Sequence, residues 1–295
     1  MSADLDPRDL AVEETSQRAL DAEKEERPKP KRPASRGLKF YEASHRYKLD
    51  GEWVPGVTTV LNVIDKPALK KWAASSVAEY VADHREAVEH LYAAGRGPMV
   101  AALKETPFQK RDDAAARGTK FHDFAERILR GEEVDVPDEQ AGLVESALAF
   151  MDDYDIKPIM IEGCVGSREH KYAGKFDLIA DSKLGRGIFD WKSSKRIYAS
   201  TAFQNVGYAF AEFVGENGDE QPVPEVEASF GVHVREDGYD LYPLAFGPDV
   251  FAEFLAIRRT FDANKRAEGN WKVPGSGYVG IAHQLHHTDN PGSAA

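Results

Sequence analysis

From about Lys157 onward the apolar residues stop recurring every three or four positions and begin to alternate. That change of period constrains the fold more than any other feature of the chain, because period 3.6 and period 2 bury different surfaces. Before it, "KPALKKWAASSVAEYVADH" sets Leu69, Trp72, Ala73, Val77 and Tyr80 along one helical face. "REAVEHLYAAG" continues the helical pattern, a long helix is expected from about Pro107 to Leu129, and "DEQAGLVESALAFMDDY" makes another. After it, strands are expected at "PIMIEGCVG", "YAGKFDLIAD" and "RGIFDWKSS", followed by a helix from about Ser200 to Phe213. The segment "EASFGVHVREDGYDLYPLAF" reads as a hairpin turning at Asp237-Gly238, and "PDVFAEFLAIRRTFDANKRAEG" as a closing helix. An earlier hairpin is signalled by Asp50-Gly51 in "LDGEW". Helices, three strands, a helix, two strands and a helix make an α/β fold with a central mixed β-sheet flanked by α-helices.

Composition narrows the classes. A chain of 295 residues can bury a substantial core. One domain is expected over 37–270, with a hairpin and helical part at 37–155 and the strand-rich part at 156–270. Residues 1–36 are rich in charge and proline and are expected to be disordered, and 271–295 to be an irregular tail. No apolar stretch suits a membrane span or a signal-peptide core, so a cytoplasmic protein is expected. The single cysteine, Cys164, excludes an internal disulfide framework and a Cys-ligated iron–sulfur cluster. No G-x-x-x-x-G-K-[ST] loop is present, so no ATP site is expected. A net charge of -12 argues against coating nucleic acid by bulk charge, though not against a local basic track such as "QKRDDAAARGTK" or Arg258-Arg259.

Charge inside the expected strands needs a reason. Asp190 and Lys192 are two apart, so they leave the same face of their strand while Phe189 and Trp191 leave the other. Asp177 stands on the preceding strand. Two carboxylates converging at a sheet repel unless a cation lies between them, and an oxygen-rich site of that kind suits Mg²⁺ or Mn²⁺. A lysine beside it can orient or help deprotonate a water. Bulky neighbours on both sides of "DWK" place the strand near the centre of the sheet. Gln204 and Tyr208 share one helix face, and His122 sits with Glu126 on the flank of a stripe of Phe121, Phe124, Ala125, Ile128 and Leu129. Glu162 is a further carboxylate on the strand before Asp177. Each has a plainer reading: a solvated strand face, a core tyrosine, a satisfied histidine, an exposed glutamate.

Together these residues resemble the PD-(D/E)xK nuclease superfamily in its RecB-like branch. Four motifs stand in that branch's order: Gly118 to His122 in "GTKFH", Gly174 to Asp177 in "GKFD", Asp190 to Lys192 in "DWK", and Gln204 to Tyr208 in "QNVGY". "VPGVTTVL" and "KPALKKWAASSVAEYV" are similar to the start of exonucleases from phages of actinobacteria. The resemblance implies a restriction-endonuclease-like core and a Mg²⁺-dependent deoxyribonuclease, with Mn²⁺ able to substitute. Asp177, Asp190 and His122 would ligate the ion, with the Trp191 backbone carbonyl as a further ligand; Glu162 matches no motif and is an additional candidate ligand. Lys192 would position the attacking water, and Gln204 and Tyr208 would support DNA and the site. An exonuclease in phage DNA recombination or processing is expected, working in a host bacterial cytoplasm on DNA. A phage single-strand annealing or recombination protein is the partner this implies, and an oligomer is left open. The alternatives are a structure-specific endonuclease with the same site, or a non-catalytic DNA-binding or assembly protein that keeps the fold.

Overall fold

A computed structural model describes residues 37–194 and 196–268; the expected arm at 1–36 and tail at 271–295 lie outside them. Strands β1 (Leu38–Tyr41), β2 (Arg46–Leu49) and β3 (Glu52–Val54) form a small antiparallel sheet in that order. The β2–β3 turn falls on Asp50-Gly51, as the sequence indicates, with φ of 49° and 90° at the two residues. Both angles are positive, the geometry that favours Asp-Gly in two-residue hairpins.

The helical part comprises α1 (Val57–Leu61), α2 (Pro67–Asp83), α3 (Arg85–Ala93), α4 (Arg96–Leu129) and α5 (Asp138–Asp153). Helix α4 begins well before the expected Pro107 and runs through it for 34 residues. Proline lacks an N–H and normally ends a helix by clashing with the carbonyl four residues back. Here Pro107 is tucked inward beside the buried Thr106, and tertiary packing overrides the local signal.

The alternating half divides into β4 (Lys157–Ile161), β5 (Cys164–Ser167), β6 (Tyr172–Lys175), β7 (Leu178–Ser182) and β8 (Gly185–Lys192). Then come α6 (Ser200–Ala209), β9 (Phe213–Val214), β10 (Ala228–Arg235), β11 (Gly238–Leu244) and α7 (Pro248–Ala267). The main sheet has five strands in the order β11-β10-β8-β7-β4, and a second sheet runs β6-β5-β9. Pairing of β8 with β10 is parallel and the other pairings of the main sheet are antiparallel, so the sheet is mixed. Strand β8 is central, as its bulky neighbours indicated.

Two expected strands are each cut in half. "PIMIEGCVG" becomes β4 and β5, and "YAGKFDLIAD" becomes β6 and β7, with the halves in different sheets. The breaks fall at Glu162-Gly163 and at Phe176-Asp177. The expected helix to Phe213 ends at Ala209, and the last hairpin turns at Glu236-Asp237, one residue early, because Arg235 pairs with Gly238.

Helices cover both faces of the main sheet. On one side Ile179 and Ile188 pack with Val57, Val60, Val206 and Phe254 from α1, α6 and α7. On the other, Leu178, Phe189 and Trp191 pack with Phe121, Ala147 and Phe150 from α4 and α5. Trp191 takes the edges of Phe150 and Phe121, with centroids 5.4 and 6.0 Å away. Such pairs add about 0.5–1.5 kcal/mol each beyond area burial. No helix among the described residues is long and apolar enough to cross a membrane.

Candidate active site

The two strand breaks lie side by side, and they build the site. The Glu162 N–H donates to the Asp177 carbonyl at 2.9 Å, and the Phe176 N–H donates to the Gly163 carbonyl at 3.1 Å. Where both strands change sheet, these bonds lock the two corners together and set the two carboxylates next to each other. Glu162 adopts a left-handed φ of 55°, a conformation that non-glycine residues pay to hold. A Cβ on Gly163 would collide with the Phe176 ring, so the corner needs glycine there.

Continuing the β7–β8 register by one residue sets Asp177 across from Asp190. The Trp191 N–H donates to Asp177 Oδ2 at 2.8 Å, and His122 Nδ1 of α4 lies 3.5 Å from Asp177 Oδ1. One ligand atom each from His122, Glu162 and Asp177 falls within 4.8 Å of the others. Asp190 stands outside that trio: its Oδ1 accepts from Gln204 Nε2 at 3.0 Å, and Lys192 Nζ rests on its Oδ2. Gln204 Nε2 also donates to the Tyr208 hydroxyl at 3.2 Å. The Tyr208 ring lies against Gly174, where a Cβ would overlap it. Gly174 therefore supports Asp190 through Tyr208 and Gln204 in turn.

Charge and burial oppose each other here. Burial pushes the Asp177 carboxyl up, but His122, Lys192 and the Trp191 N–H together outweigh it and hold the group below the usual carboxylate range. Burial dominates at Asp190 and pushes it up to about 6, against the pull of Lys192. Glu162 is raised by burial and by Asp177, which exceed the opposing effect of Lys175, its ion-pair partner at 2.6 Å. Burial lowers His122, but the Asp177 carboxylate more than compensates and raises it. Lys192 is likewise raised, because Asp190 and Asp177 together outweigh its desolvation.

The residues put forward from the sequence thus come together: His122, Asp177, Asp190, Lys192, Gln204 and Tyr208 form one connected cluster. Trp191 meets it through its N–H. Glu162, which no motif marked, stands in the chelating trio, and Lys175 was missed. The signal for Lys175 was its place two residues before Asp177 in "GKFD". Glu126 turns to Arg130 instead, at 2.8 Å. Arg258 is no phosphate contact: it is buried, paired with Asp262, and donates to the Lys171 carbonyl at 2.9 Å.

"QKRDDAAARGTK" does line an opening. A groove of about 1040 Å³ runs past Ser193, the residue after Lys192, between α2, α4 and the segment that follows β8. Trp72, Lys110, Arg117, Lys120, Arg196 and Tyr198 face it. Lys110 and Lys120 pair with Glu79 and Glu139 at 3.2 and 3.1 Å, whereas Arg117 and Arg196 have no carboxylate partner among the described residues.

Fold and site define a mixed α/β protein with a half-buried His/Glu/Asp cluster able to chelate a metal ion. Compared with models of known protein families and with curated proteins, the chain matches none. The donor set fits a divalent cation: two carboxylates and an imidazole already converge, and Glu162 and Asp177 sit close enough to repel without one.

Proposed function

We propose that this chain is a Mg²⁺-dependent deoxyribonuclease of the PD-(D/E)xK superfamily, RecB-like branch, acting as an exonuclease in phage DNA recombination or processing. The observation that carries the reading is the convergence of His122, Glu162 and Asp177 beside Lys192 on the central strand of a mixed sheet. A divalent ion held by that trio would polarise the phosphodiester and lower the pKa of water at neutral pH.

The chain's own residues do the rest. Lys192 is held as an ammonium by Asp190 and Asp177, so it orients the attacking water and offsets charge developing on the phosphate. Asp190 fixes that ammonium, Gln204 fixes Asp190, and Tyr208 backs Gln204. The water oxygen bonds to phosphorus as the phosphorus–oxygen bond in line with it breaks; the water proton leaves to solvent, and the departing sugar oxygen takes a proton from solvent and leaves as a hydroxyl. DNA reaches the site along the groove past Ser193, with Arg117 and Arg196 as phosphate contacts.

The test is digestion of end-labelled linear duplex and single strands, with Mg²⁺ or with EDTA, beside a circular duplex. Cleavage of linear DNA in Mg²⁺, none in EDTA and none of the circle is expected. Lys192→Ala is expected to lower the rate about 100-fold or more while the protein still binds Mn²⁺. Full activity in that variant would remove Lys192 from the chemistry, and cutting of the circle would make the enzyme an endonuclease.

A further inference from the structure

The small N-terminal sheet has two unlike faces. Inward, Leu38, Tyr47, Leu49 and Val54 pack on Cys164, Ala173 and Phe213. Outward, strand alternation and register line up Lys39, Tyr41, Arg46, Lys48 and Trp53. No Asp or Glu occupies this face, in a chain whose net charge is -12.

The rings are open. Trp53 is 42% exposed and Tyr41 41%, and their centroids lie 5.1 Å apart. The cations gather on the rings: the Arg46 guanidinium lies 4.0 Å from the Trp53 centroid and Lys48 Nζ 5.6 Å. Neither these two nor Lys39 has a carboxylate partner among the described residues. Lysines are often set on edge strands to block strand pairing. That purpose does not explain Arg46 and Lys48, because β2 is the central strand of its sheet, nor does it call for an open tryptophan.

Cations interleaved with exposed rings on a sheet surface suit a polyanion that also offers flat apolar groups. Single-stranded nucleic acid is that ligand, because its phosphates and unpaired bases are both accessible, whereas a duplex hides its bases in the stack. We infer that this outer face is a second contact for single-stranded DNA, in which bases stack on Trp53 and Tyr41 while Lys39, Arg46 and Lys48 meet phosphates. The inference goes beyond the deoxyribonuclease reading and takes its polymer from it. Position supports the link. Phe40, on the inward side, lies under Lys175 at 5.8 Å, and Lys175 is the partner of Glu162. The proposed face is the other side of this same sheet.

The experiment is fluorescence anisotropy with a fluorescein-labelled oligo-dT in EDTA, which reads binding without cleavage. Trp53→Ala is expected to raise Kd about tenfold, the loss of one base stack. Trp53→Phe recovers part of it, and unchanged melting temperatures confirm that both variants are folded. Arg46→Glu with Lys48→Glu weakens binding and flattens the log–log salt slope by about 1–2. Unaltered Kd in these variants, no binding by the wild type, or tighter binding of a duplex each overturns the inference. Equal affinity for polyglutamate also overturns it and assigns the face to an acidic polypeptide. Binding that the face variants weaken, together with no cleavage in Mg²⁺ by the wild type, keeps the inference and removes the deoxyribonuclease reading.

Discussion

At the scale of single residues, the site depends on groups whose charges are set by their neighbours. His122 must lose its proton to ligate a metal, and Asp177 raises its pKa above the ordinary value of 6.5. Metal affinity is therefore expected to fall as pH drops through the His122 pKa, by up to about tenfold per pH unit for one competing proton. Calorimetric titration of Mn²⁺ between neutral and mildly acidic pH checks this, and His122→Ala should remove that part of the dependence. Without metal the sign reverses. A histidine raised in the folded state contributes stability that is fully present below its unfolded pKa of about 6.5 and is lost as pH rises through the folded value. Gly174 makes a separate test. Gly174→Ala drives a methyl into the Tyr208 ring, and overpacking of this kind costs about 1–3 kcal/mol. Urea unfolding should register that loss, and DNA cleavage should fall with it, since Tyr208 supports Gln204 and Asp190. A Gly174→Ala protein as stable and active as the wild type would contradict the role given to the glycine.

Elements explain what the sequence revealed and what it concealed. The alternation in "IFDWKSS" was legible because β8 carries Asp190 and Lys192 on one face and packs Phe189 and Trp191 into helices on the other. The positive-φ turn at Asp50-Gly51 was legible for a local reason, since few residue pairs adopt it cheaply. The sheet switches were not. Strands β5, β6 and most of β7 are buried, and the carboxylates at the two breaks, Glu162 and Asp177, fit a polar position within one continuous strand as well as a corner, so nothing local marks the change of partner. Glu162 is a candidate carboxylate without a motif, and its plainer reading as an exposed strand residue fails because the corner folds its side chain to 13% exposure against Lys175. Pro107 concealed about a third of α4 in a similar way, as a local stop signal overruled by packing. The contact of α5 with β8 gives the element-scale prediction. Phe150 is fully buried against Trp191, Phe189 and Tyr239. Phe150→Ala should lower the unfolding free energy by about 3–5 kcal/mol, read from the urea midpoint. A shift below about 1 kcal/mol would mean that α5 does not hold the central strand.

For the molecule as a whole, an ion at the candidate site would link metal binding to folding. His122 comes from α4, Glu162 from the β4–β5 corner and Asp177 from the β6–β7 corner, so the trio assembles only when the helical and strand-rich parts are together. An ion that binds the folded form alone stabilises it by about 2.7 kcal/mol at a concentration 100 times its Kd. Thermal melts should therefore rise by several degrees between EDTA and saturating Mg²⁺, and Asp177→Asn should abolish the rise. The same variant provides the most direct check on the proposed chemistry. The measurement is the rate of release of labelled nucleotide from linear DNA as Mg²⁺ is titrated, for the wild type and for Asp177→Asn. A saturable Mg²⁺ dependence in the wild type, with the variant's rate lower by about 100-fold or more, is predicted. Release that continues in EDTA, or an Asp177→Asn protein as fast as the wild type, would contradict a metal-dependent nuclease centred on His122, Glu162 and Asp177.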